Sequence, residues 1–467
     1  MTKQKRRDFL KLTALSAGFL GLSPALSYSK DQVEEKLNAL TETRKAHGKS
    51  AMGLRADPIK QVNVAFIGVG SRGSGHVTRI NALYPKAKIT AICDVRKSRT
   101  DFVMDSLKNT EQSPAVYSGT EDAWKEMVKR DDIDLVIVST PWEDHAPMCI
   151  YSMQQGKHTA MEVPAAFNLD DCWGLVDTAE ETQRHCMMLE NVCYGAEELW
   201  ILNMVKNNVF GTLTYAEAAY IHNLKESMFR KGSGYYDQWR IRHYQKQDGN
   251  LYPTHGLGPV AQYLDIERGD RFDHLVSMSS LEASMQEHSL TVSSDNEFYN
   301  RNDFAHGDMN NSLIKTHNGR TILLQHDVVT PRPYNRINAL AGTKGYHEGY
   351  PSRLSLARDD HGHDWLDDKD YKNMWDKYQH PIWTELKKEI EANGGHGGMD
   401  FVLFYRLIDN LNKGLPLDMD VYDGADWSVV VPLSKISIEL GSVPVKFPDF
   451  TRDKWMGKRE LGIMKDI

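Results

Sequence analysis

The chain has 467 residues, of which 40% are hydrophobic and 26% charged, and its mean hydropathy is -0.52. This balance is typical of a soluble globular protein, and the length is sufficient for two domains. The 56 basic residues are outnumbered by 64 acidic ones, which gives a net charge of -8. The composition therefore indicates neither a nucleic-acid partner nor binding to an anionic membrane surface.

Residues 1–27 have the pattern of an export signal. Arg6 and Arg7 precede an apolar run from Leu12 to Leu26, and the run ends in a small-residue cleavage site at Ala25-Leu26-Ser27. A membrane anchor is the alternative, but the run is shorter than the roughly 20 apolar residues that span a bilayer. We therefore predict a twin-arginine signal, export to the periplasm by the twin-arginine machinery and no stable membrane anchor.

A glycine-rich turn follows a predicted linker over residues 28–58. The predicted strand Val62–Ile67 leads directly into Gly68-Val69-Gly70-Ser71-Arg72-Gly73, and a helix is predicted over His76–Leu83. The GxGxxG pattern alone is weak, but between a strand and a helix it is typical of a dinucleotide-binding turn. Gly68 permits the tight turn, Gly70 lets the backbone approach a pyrophosphate, and Gly73 allows close helix packing.

The next predicted strand, Ile89–Cys93, ends at Asp94. The distance of Asp94 from the turn matches the roughly 20 residues expected for the acid that holds the adenosine ribose hydroxyls. Because a carboxylate there repels a 2′-phosphate, the pattern favours NAD over NADP. Arg72 and Arg96 weaken that preference slightly.

Strands and helices continue to alternate as far as residue 193. The predicted strands are Leu135–Ser139, His158–Met161 and Met187–Leu189, and the predicted helices are Thr120–Arg130, His145–Gln155 and Leu169–Arg184. This alternation predicts an α/β fold, a Rossmann domain over 59–193 with a doubly wound parallel sheet. Ligands bind at the carboxyl ends of such strands, which places residues 140–145, Glu162 and the Glu190-Asn191 pair around one crevice.

The pattern changes after Tyr194. The predicted elements there are strands over Thr212–Tyr220 and Arg336–Ala341, and a hairpin of Ser312–Thr316 and Thr321–Val328 joined by Asn318-Gly319. We predict a substrate domain over 194–467, an α+β domain with a mostly antiparallel open sheet. The five cysteines have no CxxC spacing, and we expect buried apolar residues rather than disulfides or a metal site.

Several motifs resemble the glucose-fructose oxidoreductase/inositol dehydrogenase (Gfo/Idh/MocA) superfamily, most members of which are NAD(P)-dependent sugar dehydrogenases. They are the glycine turn 68–73, Thr140-Pro141 with His145, Glu162-Val163-Pro164 and Gly342-Thr343-Lys344-Gly345. Typical dehydrogenases of the superfamily have Glu-Lys-Pro, in which the lysine assists proton transfer. Val163 stands at the position of that lysine here, and valine cannot carry a proton.

Longer motifs resemble glycoside hydrolase family 109, the NAD-dependent α-N-acetylgalactosaminidases. They are Pro141–His145, Leu189–Tyr194, Leu251–Gly256, Arg332–Asn335 and Gly394–Asp400. The resemblance implies NAD contacts at Ser71, Arg72, Asp94, Trp142, Glu143, Asp144, His145, Glu162, Val163, Asn191 and Tyr252. It implies sugar contacts at Tyr220, Arg240, Tyr252, Pro253, Thr254, His255 and Tyr334, and catalytic roles for Tyr252, His255 and His396, with His396 as the acid/base.

No pair of carboxylates of the kind used by conventional glycosidases can be identified in the sequence. Bound NAD allows another route, in which oxidation of the sugar at C3 acidifies the proton at C2. Loss of that proton expels the aglycone from C1, and water addition followed by reduction at C3 completes a net hydrolysis. The C2 base is Tyr220, Tyr252 or His255, a choice that the sequence leaves open.

Export supports a cofactor that stays bound, because the periplasm has no dissolved NAD pool. A retained cofactor must end each cycle as it began, which disfavours an ordinary dehydrogenase. Glycoside hydrolysis satisfies that constraint, and so does a periplasmic sugar oxidoreductase of the glucose-fructose type, which is the alternative function. The sequence is compatible with a homo-oligomer. It does not identify the natural glycan.

Each site residue also has a structural alternative. His396 could lie in a flexible turn by coincidence, His255 could cap a helix, and Arg240 could form a surface ion pair. Tyr220 and Tyr334 could be ordinary strand aromatics. The Asp/His-rich segment 359–364 is interpreted as a solvated loop, so we expect no metal.

Overall fold

The computed structural model describes residues 35, 37, 38, 41–232, 235–357 and 364–465. The predicted export signal lies outside these residues, and so does most of the 359–364 segment. Within the described part of the chain, no helix has the length and apolar content needed to cross a membrane.

The first sheet has six strands, and every strand pairing in it is parallel. The strand order is β3-β2-β1-β4-β5-β6, made of β1 (Val62–Ile67), β2 (Ala87–Asp94), β3 (Ala115–Ser118), β4 (Leu135–Val138), β5 (His158–Met161) and β6 (Cys186–Met188). The central strands are almost completely buried, as expected for a parallel sheet covered by helices on both faces. The predicted doubly wound parallel sheet is confirmed.

The helices of this sheet differ from the predictions mainly at their ends. They are α1 (Ser71–Asn81), α2 (Lys97–Leu107), α3 (Ala123–Val128), α4 (Trp142–Gln154) and α5 (Leu169–Thr182). Helix α1 begins directly after Gly70, although its first residues lack the apolar periodicity on which the prediction of His76–Leu83 rested. Helix α4 begins at Trp142 rather than His145 because Pro141 precedes it as the N-cap. Helix α3 is shorter than predicted.

The second sheet has eight strands in the order β13-β12-β11-β7-β10-β9-β8-β14. They are β7 (Leu213–Ile221), β8 (Phe272–Ser279), β9 (Asn310–Thr316), β10 (Thr321–Asp327), β11 (Ala339–Gly342), β12 (Gly345–Glu348), β13 (Arg353–Leu356) and β14 (Val445–Lys446). Only the pairing of β7 with β10 is parallel, so the predicted mostly antiparallel sheet and its β9–β10 hairpin are confirmed. Strand β11 begins at Ala339 rather than Arg336, because Ile337 and Asn338 have φ values of 62° and 53°, which interrupt the extended backbone.

Eleven α-helices are described after β6. They are α6 (Ala196–Lys206), α7 (Lys225–Phe229), α8 (Trp239–Lys246), α9 (Thr254–Tyr263), α10 (Ser284–Ser289), α11 (Asp368–Tyr378), α12 (Pro381–Glu385), α13 (Lys387–Asn393), α14 (Met399–Lys413), α15 (Val421–Ser428) and α16 (Val430–Glu439). Helices α14 and α15 pack against β1, α1, α5 and β6 of the first sheet. The C-terminal part of the chain therefore returns to the dinucleotide-binding sheet. The division at residue 194 stays a prediction.

All five cysteines are buried and free, namely Cys93, Cys149, Cys172, Cys186 and Cys193. Burial raises the pKa of Cys93 to about 12, with the charge of Asp94 adding to the effect, and burial also raises the pKa of Cys186 to about 12. Thiols that stay protonated are unreactive, so these residues act as small apolar side chains, as predicted.

Candidate active site

The turn between β1 and α1 has the geometry of a phosphate cradle. A Cβ atom on Gly73 would lie 2.0 Å from the carbonyl oxygen of Gly68, so α1 can approach the strand only with glycine at this position. A Cβ on Gly70 would meet nothing closer than Arg96 Nη2, at 3.4 Å. The N-terminus of α1 is therefore open to a pyrophosphate, whose negative charge the helix dipole stabilises.

Asp94 lies at the end of β2, beside this turn. Its Oδ2 accepts a hydrogen bond from the Val69 amide and its Oδ1 accepts one from the Arg96 amide, both at 3.0 Å. Each carboxylate oxygen keeps a second lone pair, which can accept a ribose hydroxyl. The glycine turn and this carboxylate together fit the adenosine diphosphate part of NAD.

Glu162, after β5, forms the centre of a charged network. Its Oε1 accepts hydrogen bonds from Arg72 Nε at 2.6 Å and His76 Nε2 at 2.7 Å. Burial alone would raise the pKa of Glu162, but the charge of Arg72 and the hydrogen bond from His76 hold it well below its usual range. The side chain of Arg72 is thus engaged by carboxylates, which leaves its backbone at the start of α1 for the phosphate.

His396 is held by Asp400 within the Gly-Gly-His-Gly-Gly loop. The Nδ1 atom of His396 lies 2.8 Å from Asp400 Oδ2, and its side chain is 61% exposed. Arg72 Nη1 donates to the same carboxylate oxygen at 2.8 Å. Burial would raise the pKa of Asp400, but the hydrogen bond from His396 and the charge of Arg72 lower it well below its usual range. The histidine is therefore anchored on one side, which argues against an incidental residue in a turn.

His255, in the first turn of α9, is held in a similar way by Glu190. The distance from His255 Nδ1 to Glu190 Oε1 is 2.7 Å, and Glu190 is fully buried. The ring of His255 lies 5.4 Å from that of Tyr220 and 5.1 Å from that of Tyr252, measured between centroids. His255 does not cap helix α9, because this helix has no side-chain cap. The side chain of His255 binds Glu190 instead.

Arg240 occupies an aromatic box. Its guanidinium carbon lies 4.8 Å from the ring centroid of Trp142, 4.9 Å from that of Tyr252 and 5.2 Å from that of Tyr235. The residue is 4% exposed, and its Nε and Nη2 atoms have no hydrogen-bond partner. No carboxylate in the described part of the chain forms an ion pair with it, so the surface ion pair is wrong. Buried donors of this kind require acceptors, which a bound ligand can supply.

Tyr220 and Tyr334, which are also predicted to contact the sugar, differ in exposure. Tyr220 is buried and its hydroxyl lies 3.1 Å from Nδ1 of His222, whereas Tyr334 is exposed and its hydroxyl accepts a hydrogen bond from Arg336 at 2.9 Å. Burial raises the pKa of Tyr220 and of Tyr252 well above the usual range, although the charge of Arg240 opposes the shift at both. Both hydroxyls therefore stay protonated at neutral pH.

The contacts of several other predicted residues are also defined. Trp142 stacks on Phe167, and Glu143 pairs with His243 at 2.9 Å. Both ring nitrogens of His145 face backbone carbonyl oxygens, of Thr140 and Pro164, so this side chain holds two loops together. Buried polar atoms without a partner remain at Asn191 Oδ1 and Thr254 Oγ1. Val163 is buried and apolar.

The roles of Glu190, Asp400 and His222 were not identified from the sequence. The one local signal for Asp400 was its place at the end of the Gly394–Asp400 motif, four residues after His396. The position of Glu190 after a predicted strand places it near the ligand but does not identify His255 as its partner. His222 carries no local signal. In the described residues, no group of histidines, cysteines and acids has the arrangement of a metal site.

Two families match successive parts of the chain. Residues 62–190 match the oxidoreductase family with an NAD-binding Rossmann fold, and residues 194–457 match the C-terminal domain of glycosyl hydrolase 109. A glycosyl hydrolase family 109 protein of Shewanella baltica is 47% identical over 468 residues, covering 98% of both chains. A protein of Shewanella oneidensis named alpha-N-acetylgalactosaminidase is 46% identical over the same share.

Solved structures share the fold at low identity. Levoglucosan dehydrogenase in complex with NADH superposes with a TM-score of 0.62 at 15% identity, covering 83% of this chain and 100% of that one. An oxidoreductase domain protein from Kribbella flavida gives a TM-score of 0.63 at 16% identity, covering 84% of this chain and all of its own. At this identity the likeness extends to the fold alone.

Proposed function

Because the chain belongs to glycosyl hydrolase family 109, we propose that this glycosidase hydrolyses α-N-acetylgalactosaminides with NAD that stays bound through the cycle. The observation that supports the substrate best is Arg240, a buried guanidinium with two unpaired donor atoms among aromatic rings. Its donors suit the acetamide carbonyl or the hydroxyls of an amino sugar, and aromatic faces suit the C–H faces of the ring.

The carboxylates at the site favour this route over direct displacement. Glu162 and Asp400 are hydrogen-bonded to Arg72, and Glu190 is hydrogen-bonded to His255. Both oxygens of Glu162 and of Asp400 are occupied by hydrogen bonds. Glu190 keeps one oxygen without a partner, but its side chain is completely buried, so these three residues do not present the pair of accessible carboxylates of a two-carboxylate glycosidase. Val163 likewise removes the lysine of an ordinary dehydrogenase.

Bound NAD supplies a hydride acceptor at the sugar C3 and a hydride donor at the end of the cycle, so that the net reaction is hydrolysis. The protein then has to remove the C2 proton and protonate the departing oxygen. His255 fits the first task, because Tyr220 and Tyr252 stay protonated and the Nδ1 atom of His255 is bound to Glu190. His396, anchored by Asp400, fits the second task, because an exposed imidazole can reach the leaving oxygen.

We also propose that the protein acts in the periplasm. The support is the Arg6-Arg7 pair with its short apolar run, together with the need to keep a cofactor that this compartment does not provide. Replacement of both arginines by lysine should leave the protein in the cytoplasm, which fractionation and immunoblotting would measure.

Purified protein and a chromogenic α-N-acetylgalactosaminide, without added cofactor, provide the test of the activity. We expect release of the aglycone and, in heavy water, deuterium at C2 of the released sugar. Incubation with glucose and fructose should give no sorbitol. Sorbitol without aglycone release would instead establish the oxidoreductase alternative.

A further inference from the structure

We propose that the dipeptide Glu190-Asn191, at the carboxyl end of β6, positions both imidazoles of the reaction. Glu190 orients His255 directly, and Asn191 orients His396 through Asp400. This inference rests on the proposed function and assigns positioning roles to Glu190, Asn191 and Asp400.

The first contact fixes the tautomer of His255. Glu190 is 0% exposed, and its Oε1 accepts hydrogen bonds from His255 Nδ1 at 2.7 Å and from the Val192 amide at 3.1 Å. With its proton on Nδ1, His255 has its free lone pair on Nε2, which forms no hydrogen bond with the residues that the structure describes. The Nε2 atom is thus the one available to take a proton.

The second contact fixes the carboxylate behind His396. Asn191 Nδ2 donates to Asp400 Oδ1 at 2.7 Å, and Arg72 Nη2 donates to the same oxygen at 3.1 Å. The other oxygen of Asp400 holds His396 Nδ1 at 2.8 Å. Asn191 and Asp400 are buried, whereas the glycine-flanked histidine is exposed. The position of His396 therefore depends on a rigid group that Asn191 helps to fix.

The backbone between the two contacts is well supported. The amide of Leu189 donates to Met161 on β5 at 2.8 Å, and the amide of Glu190 donates to Met188 at 2.9 Å. Glu190 is also the N-cap of a 3-10 turn that begins at Asn191, and its side chain accepts from the Val192 amide. One hydrogen-bonded segment thus directs the side chain of Glu190 to His255 and that of Asn191 to Asp400, the partner of His396.

The chemistry requires both histidines at fixed places, because the two bonds that break are on adjacent carbons. At C2 the proton passes to His255 Nε2, and the C–H electron pair forms the C1=C2 double bond. At C1 the C–O electron pair leaves with the aglycone oxygen, which takes a proton from His396 Nε2. Misplacement by about 1 Å at either centre is enough to slow such a step by roughly a hundredfold.

Variants of Glu190 and variants of the Asn191–Asp400 pair should differ in how strongly the loss of kcat depends on the leaving group. Glu190→Gln should lower kcat about 100-fold on both nitrophenyl and alkyl glycosides and raise the kinetic isotope effect of 2-deuterated substrate, because proton removal does not involve the aglycone. Asn191→Ala and Asp400→Asn should lower kcat about 100-fold on the alkyl glycoside and less than tenfold on the nitrophenyl glycoside, since nitrophenolate leaves without an acid.

Bound NAD and the melting temperature of each variant are measured in parallel, and Asp273→Asn is the control because Asp273 pairs with His274 on the surface of β8. Equal losses on both substrates in all three variants, with an unchanged isotope effect and full NAD content, would overturn the proposal. If Glu190→Gln does not fold, Glu190→Asp carries the same expectation, because it retracts the carboxylate from His255. A wild-type protein that releases no aglycone refutes the proposed function itself.

Discussion

At the scale of single residues, Arg240 is a side chain whose replacement should lower activity without lowering stability. Burial of a guanidinium with unpaired donors costs free energy of folding. No carboxylate among the described residues forms an ion pair with Arg240 to offset that cost. We predict that Arg240→Met lowers kcat/KM by about 100-fold, while the free energy of unfolding stays unchanged or rises by about 1 kcal/mol. Steady-state kinetics and urea unfolding measure the two effects.

Arg242→Met is the matched control for Arg240→Met. Arg242 lies on the same helix and forms a partly exposed ion pair with Glu297, in which the two side chains are 30% and 55% exposed. Its loss should change both quantities little, because exposed ion pairs contribute about 0–1 kcal/mol. A marked destabilisation by Arg240→Met would mean that the guanidinium has a structural role and would remove the main support for the substrate assignment.

The sequence predicts which residues form the site better than it predicts their partners. Gly73 and Asp94 were identifiable because they belong to a local motif with a defined spacing, and His255 because its segment resembles a family motif. The contact between Asn191 and Asp400 joins residues separated by 209 positions, and that between His255 and Glu190 spans 65. Such contacts arise from the packing of whole elements, so no local pattern contains them.

At the scale of elements, the close contact between β1 and α1 gives a paired prediction. A Cβ on Gly73 would lie 2.0 Å from a backbone oxygen, whereas a Cβ on Gly75 would meet nothing nearer than Arg79 Nη1 at 3.9 Å. We predict that Gly73→Ala destabilises the protein by about 3 kcal/mol and lowers its NAD content. Gly75→Ala, the control, should stabilise it by about 0.5 kcal/mol, because alanine favours the helix.

Thermal unfolding and the amount of NAD released on denaturation measure both glycine variants. Equal effects of the two substitutions would show that helix α1 does not need its close approach to the strand.

Two buried histidines, His158 at the start of β5 and His185 directly before β6, predict that acid destabilises the folded protein. Burial, followed by the charges of His185 and Arg184, lowers the pKa of His158 to about 3, and burial lowers that of His185 to about 4. Both values lie below the ordinary 6.5, so the unfolded chain binds more protons than the native protein as the pH falls below 6.5. Stability should therefore decrease from pH 6.5 downward until the folded-state pKa values are reached.

Each of these histidines should account for about 2 kcal/mol between pH 7 and pH 5. His185→Gln should reduce the fall in unfolding free energy over that interval by this amount, as measured by urea unfolding at the two pH values. His47→Gln, at a side chain that is 63% exposed, should leave the fall unchanged. An identical pH dependence in His185→Gln and the wild type would contradict the prediction.

The sequence predicts helices and strands correctly where the pattern of hydrophobic residues is clear. Strand β4 and the β9–β10 hairpin follow from apolar runs and an Asn-Gly turn. The start of α1 was missed because glycine and serine are poor helix formers, and the turn of the helix there is stabilised by tertiary packing. Helices α14 and α15 were not predicted, although α14 carries Asp400, which binds Arg72, Asn191 and His396.

At the scale of the whole molecule, three contacts close the crevice between the first sheet and the later part of the chain. Arg72 on α1 meets Asp400 on α14, Glu143 on α4 meets His243 on α8, and Arg96 lies 4.2 Å from the ring centroid of Tyr236. Arg72 and Glu143 are themselves predicted to contact NAD, and Arg96 lies beside Asp94, so these three contacts lie at the predicted dinucleotide site. Release of a bound NAD requires these bridges to separate, so we expect slow release.

We therefore predict that freshly purified protein contains about one NAD per chain and that prolonged dialysis does not remove it. Absorbance at 260 nm and mass spectrometry of the nucleotide released by denaturation measure the content. The double variant Arg96→Ala/Tyr236→Ala should lose NAD at least tenfold faster, because it opens the bridge beside Asp94, whereas Tyr299→Ala, at an exposed position outside the crevice, should not. Protein that is free of dinucleotide and still cleaves glycosides at full rate would contradict both the retention and the reaction that depends on it.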